Sequence, residues 1–571
     1  MTKQYFFTSS IGPVQGFVAT ARTSQDLWFG SWLLSELAKA AAKALRDGGH
    51  TLIFPAPDSD FDPGSALDAG NKVVAILSGN PEPVASQVGD AIANRLEQLA
   101  KSSFDAAEAK CKFNRDFAVE QLKDLIEFYW AAVLYDPSKG DDDYKRARAR
   151  AEALFNARKN TRSFQQAHGK DGLPKSSLDG FRESVLLDDG DIEDSFENLR
   201  IEKGEKLSGV DLLKRWGKRQ GDVSFVSTTD IAVRPFAMGV GVSTFEALLA
   251  ELKALRRKHR GRKETDGTHF YQERMVQLLA DKSRAADFRK EFAGIFEKYG
   301  IKQRPSPYYA VLQADGDNMG KTIDNQNNQQ RHSDLSKALS LFATQAKKII
   351  KEQGGVPIYV GGDDILAYLP QHTVLACVKM LDAEFSKALK DFVSVDGISP
   401  TLSVGLAIAH HLTPLSQVLQ QVRDAEKTAK RVQGKNGLAI SLSKRGSAEH
   451  LVRDKLTDLV GRMEQLIDMT LQKAISHGTA YELEDLKRRL NIPDIEPTRK
   501  AMLQKEAIRI ITRKRESGSD EKLNKQTREN FETWLLRETL TLDELAGEMI
   551  IAAELANSYA IARISPKEAA V

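Results

Sequence analysis

One hairpin constrains this chain more than any other stretch. Residues 356–368, Val-Pro-Ile-Tyr-Val-Gly-Gly-Asp-Asp-Ile-Leu-Ala-Tyr, read as two short apolar strands, 358–360 and 365–368, joined by a tight turn. The Gly361-Gly362 pair supplies the backbone freedom that such a turn demands. The turn then presents Asp363 and Asp364 side by side at the tip of an apolar ribbon. Two like charges held that close are costly unless a cation neutralises them, and Mg²⁺ or Mn²⁺ suits oxygen donors. Taken alone, the same turn also fits an ordinary Gly-Asp hairpin with solvated acids.

A second acidic turn upstream shifts the balance. Residues 306–314 form an apolar, alternating strand candidate that runs into Asp315-Gly316-Asp317-Asn318-Met319-Gly320-Lys321. A strand ending there can set Asp315 beside the hairpin tip, giving three carboxylates around one or two metals, with the Gly316 carbonyl as a further ligand. That is the donor set of two-metal nucleotidyl transfer. Triphosphates also need cations opposite the acids. On the helix 423–431, Lys427 and Lys430 lie three residues apart on one face, where they either clamp phosphates or form a solvated surface. Lys321 is a weaker candidate, and Asp317 is read as the cap of the following helix. The pair His410-His411 is read as structural.

Around these turns the pattern is an α/β unit: strand 308–314, helix 334–351, the hairpin, helix 373–392, strand 401–409, helix 415–432 and strand 438–442. The N-terminal region has a similar outline. Strand 5–10, a single long helix from Val14 to about Leu45, strands at 50–55 and 71–77, and helical pattern from Pro83 to about Tyr135 suggest an internal duplication. Residues 136–222 are charged and Gly-rich, with acids around 187–194, and read as an insertion. Residues 225–235 return to apolar and β-branched types, and 245–299 is mainly helical. The basic run 256–263 is either a solvated loop or a phosphate-backbone contact. From 443 onward everything reads as helix, in segments 451–475, 481–490, 498–515, 524–537 and 542–563, the third strongly basic. The expected fold class is α+β: two ferredoxin-like palm domains, an intervening helical domain and a C-terminal helical bundle. The boundaries fall at 1–135, 136–240, 241–304, 305–445 and 446–571.

Composition narrows the function classes. With 571 residues, 28% charged, several domains are expected. No apolar run approaches the ~18 residues needed to span a bilayer, and the start lacks a signal-peptide pattern. Two cysteines, Cys111 and Cys377, lie far apart, which argues against a disulfide framework or a cysteine zinc site. A cytoplasmic location is expected. A net charge of +3 means that any nucleic-acid contact must come from local patches.

The second unit resembles the palm of polymerases and of adenylate and diguanylate cyclases. It departs from the diguanylate cyclases in having Ile365-Leu366 after the acids, where their signature has Glu-Phe. More closely, the chain is similar to the large subunit of type III CRISPR effector complexes, particularly the Cmr (type III-B) branch. The opening Ile11-Gly12-Pro13-Val14-Gln15-Gly16-Phe17 carries this resemblance, with Ala21-Arg22, Asp26-Leu27-Trp28 and Gly30-Ser31. Gly204-Glu205-Lys206-Leu207, Leu213-Lys214-Arg215 and residues 225–232 continue it, followed by 315–321, the Gly-Gly-Asp-Asp turn and 403–410.

The resemblance implies that ATP is converted to cyclic oligoadenylate messengers when a guide-RNA complex of other Cmr-type subunits captures target RNA, in antiviral defence. Asp315, Asp363 and Asp364 would hold the metals. ATP would bind between the palms, near Gly316, Gly361, Gly362, Lys427 and Lys430, with Ser227 and Thr228 lining the site from the first palm. Transfer of AMP to another acceptor, such as S-adenosylmethionine, a scaffold with a relic palm and a stand-alone diguanylate cyclase are the competing readings. Many members begin with a histidine-aspartate nuclease domain. No His-Asp dipeptide occurs here, so no DNase activity of that type is expected. Many also carry a cysteine zinc site in the insertion, where this chain has Lys175-Ser176-Ser177-Leu178-Asp179-Gly180, so no zinc is expected.

Overall fold

The computed structural model describes residues 3–569 except 57, 66, 162–171, 188–200, 202–203, 218–225, 262–263, 446–448, 491–501, 503–504, 512–524 and 537–540. Most of the acidic stretch 187–194, Phe225, the end of the basic run at 262–263 and most of the expected basic helix 498–515 therefore lie outside the described residues.

The first unit runs β1 (Gln4–Gly12), α1 (Gln15–Ala19), α2 (Ser24–Asp47), β2 (Thr51–Phe54), β3 (Lys72–Ser78), α3 (Pro81–Glu108), α4 (Arg115–Lys123) and β4 (Glu127–Tyr135). Its sheet has the order β2-β3-β1-β4, antiparallel throughout, which is the βαββαβ ferredoxin-like arrangement. Two expectations are corrected here. The single helix from Val14 breaks at residues 20–23, where Thr23 caps α2 in a reciprocal box with Asp26. The helical pattern expected to run to Tyr135 ends at α4, and 127–135 is a strand.

An insertion follows, with α5 (Asp141–Asn160) covering one face of the first sheet and α6 (Gly209–Trp216) wedged against α2, α3 and α4. Arg215 on α6 reaches Asp26 at 2.8 Å and Glu205 at 3.1 Å, a buried cation between two buried acids. Residues 228–240 form a helix, α7 (Thr228–Val240), despite their β-branched composition, because Ser227 and Asp230 make a full capping box at its start. α8 (Val242–Lys258), α9 (Gln272–Gln277) and α10 (Ala285–Lys298) then enclose a phenylalanine-rich core of Phe236, Phe270, Phe288, Phe292 and Phe296.

The second unit runs β5 (Tyr308–Asp317), α11 (Met319–Asp324), α12 (Gln329–Glu352), β6 (Val356–Gly361), β7 (Asp364–Leu369), α13 (Val374–Ala388), β8 (Thr401–His410), α14 (Leu415–Ala429), β9 (Gly437–Ser443) and β10 (Glu449–Lys455). The sheet order is β10-β9-β8-β5-β7-β6. Its β8-β5-β7-β6 portion repeats the first sheet's β4-β1-β3-β2, as a duplication predicts. Residues 449–455 form the sixth strand, so the helix expected from 451 starts only at Leu456. The C-terminal helices α15 (Leu456–Leu471), α16 (His477–Leu490), α17 (Lys525–Leu536) and α18 (Leu542–Ala562) pack with α12 and α13 into one continuous core on one face of this sheet. The other face receives α14, together with Ala21 and Leu27 from the first unit and Ile231 and Ala232 of α7. The two palms meet on that face and also where α12 lies against β2 of the first sheet.

Candidate active site

The hairpin closes as its sequence demands. Gly361 pairs with Asp364, leaving Gly362-Asp363 as a two-residue turn, and Gly362 takes φ +86, open to glycine at little cost. Asp315, two residues before the end of β5, lies opposite Ser403 of β8. Gly316 brings the two acidic turns together: a Cβ placed on it would sit 2.9 Å from the Asp363 side chain. The third component is α14. It lies so close to β8 that a Cβ on Gly405 would fall 2.3 Å from the Glu426 backbone nitrogen. That approach puts the last turn of α14 over the end of β5, where the Lys430 ammonium contacts the Asp315 carboxylate and, at 2.7 Å, Glu426.

The electrostatics follow from this crowding. Burial, with the Asp315 charge second, pushes Asp363 up to about 7. Asp364 rises to about 7 for the same reasons, with Asp363 and Glu426 adding repulsion. Lys430 loses solvation too, yet its bonds to Asp315 and Glu426 outweigh that and hold it firmly protonated. One ammonium thus faces four carboxylates.

Such a donor set fits a divalent cation. Asp363 and Asp364 have no full neutralising partner, and buried Asp317 keeps its Oδ1 without a hydrogen bond. Among the described residues no three donors converge on a single point, so the acids flank the site without forming a closed cage.

Asp317 does not cap the following helix as its position suggested. Its Oδ2 accepts from Thr401 (2.9 Å), Ser403 (2.7 Å) and the Asn436 backbone (3.0 Å), tying β5 and β8 to the loop after α14. Lys427, on the same helix as Lys430, is exposed and pairs loosely with Asp424 at 3.8 Å. Lys321 is tied to Asp396 at 2.7 Å. Ser227 is the N-cap of α7, its hydroxyl shared with Thr229, Asp230 and Thr265, and Thr228 is that helix's first residue. His410 and His411 stack on one another at 4.7 Å, with His411 against Tyr271 at 4.4 Å, an aromatic cluster.

Beside Asp364 a cavity of about 90 Å³ opens between the palms. Tyr359, Gln313 and Arg423 of the second palm line it, with Ser31, Leu34 and Asn71 of the first. None of these six was picked out as a site residue from the sequence. Glu426 was missed as well, although its i, i+4 spacing to Lys430 was visible.

Two ferredoxin-like palms face to face, the second bearing the acidic hairpin, define a protein of the nucleotide cyclase and polymerase palm architecture. Residues 308–439 match the family model "Cas10/Cmr2, second palm domain", and residues 6–102 match "CRISPR-associated protein Cmr2, N-terminal". The chain is 25% identical to the CRISPR system Cmr subunit Cmr2 of Pyrococcus furiosus over 538 residues, which is 77% of this chain but 61% of that relative's length. Among solved structures, the type III-B Cmr-beta complex in its apo state contains a chain with TM-score 0.64 and 14% identity, aligned over 98% of this chain and 82% of that one. The same complex bound to cognate target RNA gives TM-score 0.60, 14% identity, 98% and 83%. Its second palm and its N-terminal region thus each match a domain model of the Cmr2 family, and the chain is similar to Cmr2 large subunits of type III-B CRISPR systems. Among the described residues, no helix is long and apolar enough to cross a membrane.

Proposed function

We propose that this chain is the nucleotidyltransferase subunit of a type III-B effector complex, converting ATP into cyclic oligoadenylates when the guide complex captures target RNA. The observation that carries the reading is the meeting of Asp315, Asp363, Asp364 and Lys430 at the end of β5 and the tip of the β6-β7 hairpin, beside the cavity that the first palm helps to line. Asp363 and Asp364, with Asp315 flanking them, would hold Mg²⁺ or Mn²⁺, which would lower the pKa of an attacking hydroxyl and stabilise the departing pyrophosphate.

The chain's own residues do the rest. The Lys430 ammonium sits where phosphate charge gathers, and its bond to Glu426 holds it there. Asp317 fixes the loop that ends α14 against β8. Leu34, Leu366 and the Tyr359 ring give the cavity an apolar lining suited to a base, with Asp364 in the same wall. Palm-on-palm packing keeps bulk water off that side. Partners are other Cmr-type subunits, guide RNA and target RNA.

The test is the assembled complex with labelled ATP, Mg²⁺ or Mn²⁺, with and without target RNA. Oligoadenylate formed only with RNA, and lost in D363A/D364A, is the expected result. No ATP consumption by the intact complex overturns the reading; RNA-independent product overturns its regulated form.

A further inference from the structure

The first palm's outer edge is unlike an ordinary sheet edge. β4 is the terminal strand of its sheet and runs nine residues, Glu-Phe-Tyr-Trp-Ala-Ala-Val-Leu-Tyr, without a lysine, proline or glycine to blunt it. Natural edges of this length and hydrophobicity are guarded, because their free N–H and C=O groups invite another strand. Here the backbone of β4 alternates. Trp130 turns its carbonyl away from β1, where it accepts from Arg158 at 2.9 Å, and the pleat turns the groups of Phe128, Ala132 and Leu134 the same way. Among the described residues, those groups have no other backbone partner. Leu134 is 55% exposed.

The edge also continues into a groove. A cavity of about 530 Å³ lies between α3, α4 and the start of β4, lined by Ile92, Leu96, Phe104, Val119, Ile126 and Phe128. Phe128 thus belongs to both the edge and the groove. On the groove's rim Lys101 and Lys123 are exposed and make no ion pair among the described residues, Arg115 is already engaged by Asp105 and Glu108, and Glu97 is the single acid.

We propose that β4 is a docking edge that accepts a fifth strand from a different polypeptide. The segment is extended and apolar at alternate positions, so that one face fills the groove, and acidic where it passes Lys101 and Lys123. A second copy fits less well: its own edge offers one acid, Glu127, and would leave both lysines unneutralised. The proposal rests on the partner part of the functional reading and is independent of the chemistry at the acids.

Residue-resolved amide exchange tests it, on the full chain alone and on the complex purified from the native host through a tag on this chain. The amides of Phe128, Ala132 and Leu134 are expected to exchange fast in the free chain and at least tenfold more slowly in the complex. Those of Tyr129, Ala131 and Val133, turned toward β1, are protected in both. Unchanged outer amides in an assembled complex overturn the docking edge and leave the functional reading standing; a chain that comes out of its host alone removes both. Protection that grows with concentration in the free chain, together with a dimer in sedimentation, assigns the edge to a second copy and overturns the proposal. Protection in the free chain independent of concentration assigns it to another segment of the same chain, with the same consequence.

Two variants separate docking from folding. A132P removes an N–H that β1 does not use, and L134K places a charge on the exposed edge. Each should weaken subunit retention at least tenfold while the free chain's Tm moves little. If A132P fails to fold, L134K decides.

Discussion

Burial raises Asp363 and Asp364 to about 7, well above the usual carboxylate range, and this has a measurable cost. A carboxyl with a folded pKa near 7 stabilises the fold fully only below its unfolded value of 3.8, and that contribution is lost as pH rises through 7. Without divalent cation, Tm should therefore fall between pH 4 and 8. D363N/D364N should remove part of that fall, raising stability at pH 8 by on the order of 2 kcal/mol, since the two sites titrate as a coupled pair. Mg²⁺ or Mn²⁺ should raise the wild-type Tm more at pH 8 than at pH 5, because the ligands must first deprotonate, and chelation should reverse it. A wild-type Tm indifferent to pH and metal would argue against the cation site. The two lysines of α14 make a second prediction. K430M removes the charge facing Asp315 and should lower the rate of ATP turnover about 10²-fold, whereas K427A, on an exposed pair, should stay within about twofold. Equal effects would mean that the helix presents its phosphate-facing side differently.

α14 reaches the acids only because β8 carries glycine at 405. G405A drives a methyl into the Glu426 backbone, and since a strand and a helix both have to move, a loss of about 1–3 kcal/mol is expected, read as a Tm drop with D363A/D364A as the background. Activity should fall by more than that destabilisation explains, because Lys430 moves with the helix. What the sequence revealed at this scale divides cleanly. The hairpin, β5, β8 and β9 were legible because the apolar run, the turn chemistry and the acids all agreed. β4 reads as helix in the sequence because it is covered by α5 on one face and packs with the α3 core on the other, so no period of two survives. Its alternation is apolar on both sides. For α7 the β-branched composition of 225–235 gives no element type, and the capping box at Ser227 and Asp230 is what makes it a helix. β10 was lost because Leu451 and Val452 continue smoothly into the apolar pattern of α15. In the site itself, the acids and Lys430 could be read locally. Ser31 of α2, Asn71 of the loop before β3 and Gln313 of β5 are brought to one cavity only by folding, and no spacing along the chain encodes that.

At the scale of the whole molecule, the duplicated palms act as one site only if they stay docked, and the contact that holds them carries its own pH sensitivity. α5 reaches across from the first unit to the second. Its Tyr144 hydroxyl meets His332 Nδ1 of α12 at 2.9 Å, and Arg148 donates to the carbonyls of Ile323, Asp324 and Gln326 around the end of α11. Lys347 of α12 adds a pair to Asp68 at 2.9 Å. Burial first, then the charges of Arg148 and Lys72, push His332 down to about 3. A histidine depressed in the fold contributes stability above its unfolded value of 6.5 and loses it as pH falls toward 3. The loss should reach on the order of 2 kcal/mol by pH 5, from this residue alone. H332Q keeps a hydrogen-bonding group opposite Tyr144 but cannot titrate, so its Tm should change less than wild type between pH 7.5 and 5. Y144F should cost about 1 kcal/mol at neutral pH and leave the wild-type pH slope in place, because the phenol is not the titrating group. If H332Q and wild type lose stability in parallel on acidification, His332 is not what loosens the palms. If only H332Q resists, ATP turnover at pH 5.5 should be better retained in that variant, since the cavity beside Asp364 exists only while the first palm stays seated on the second.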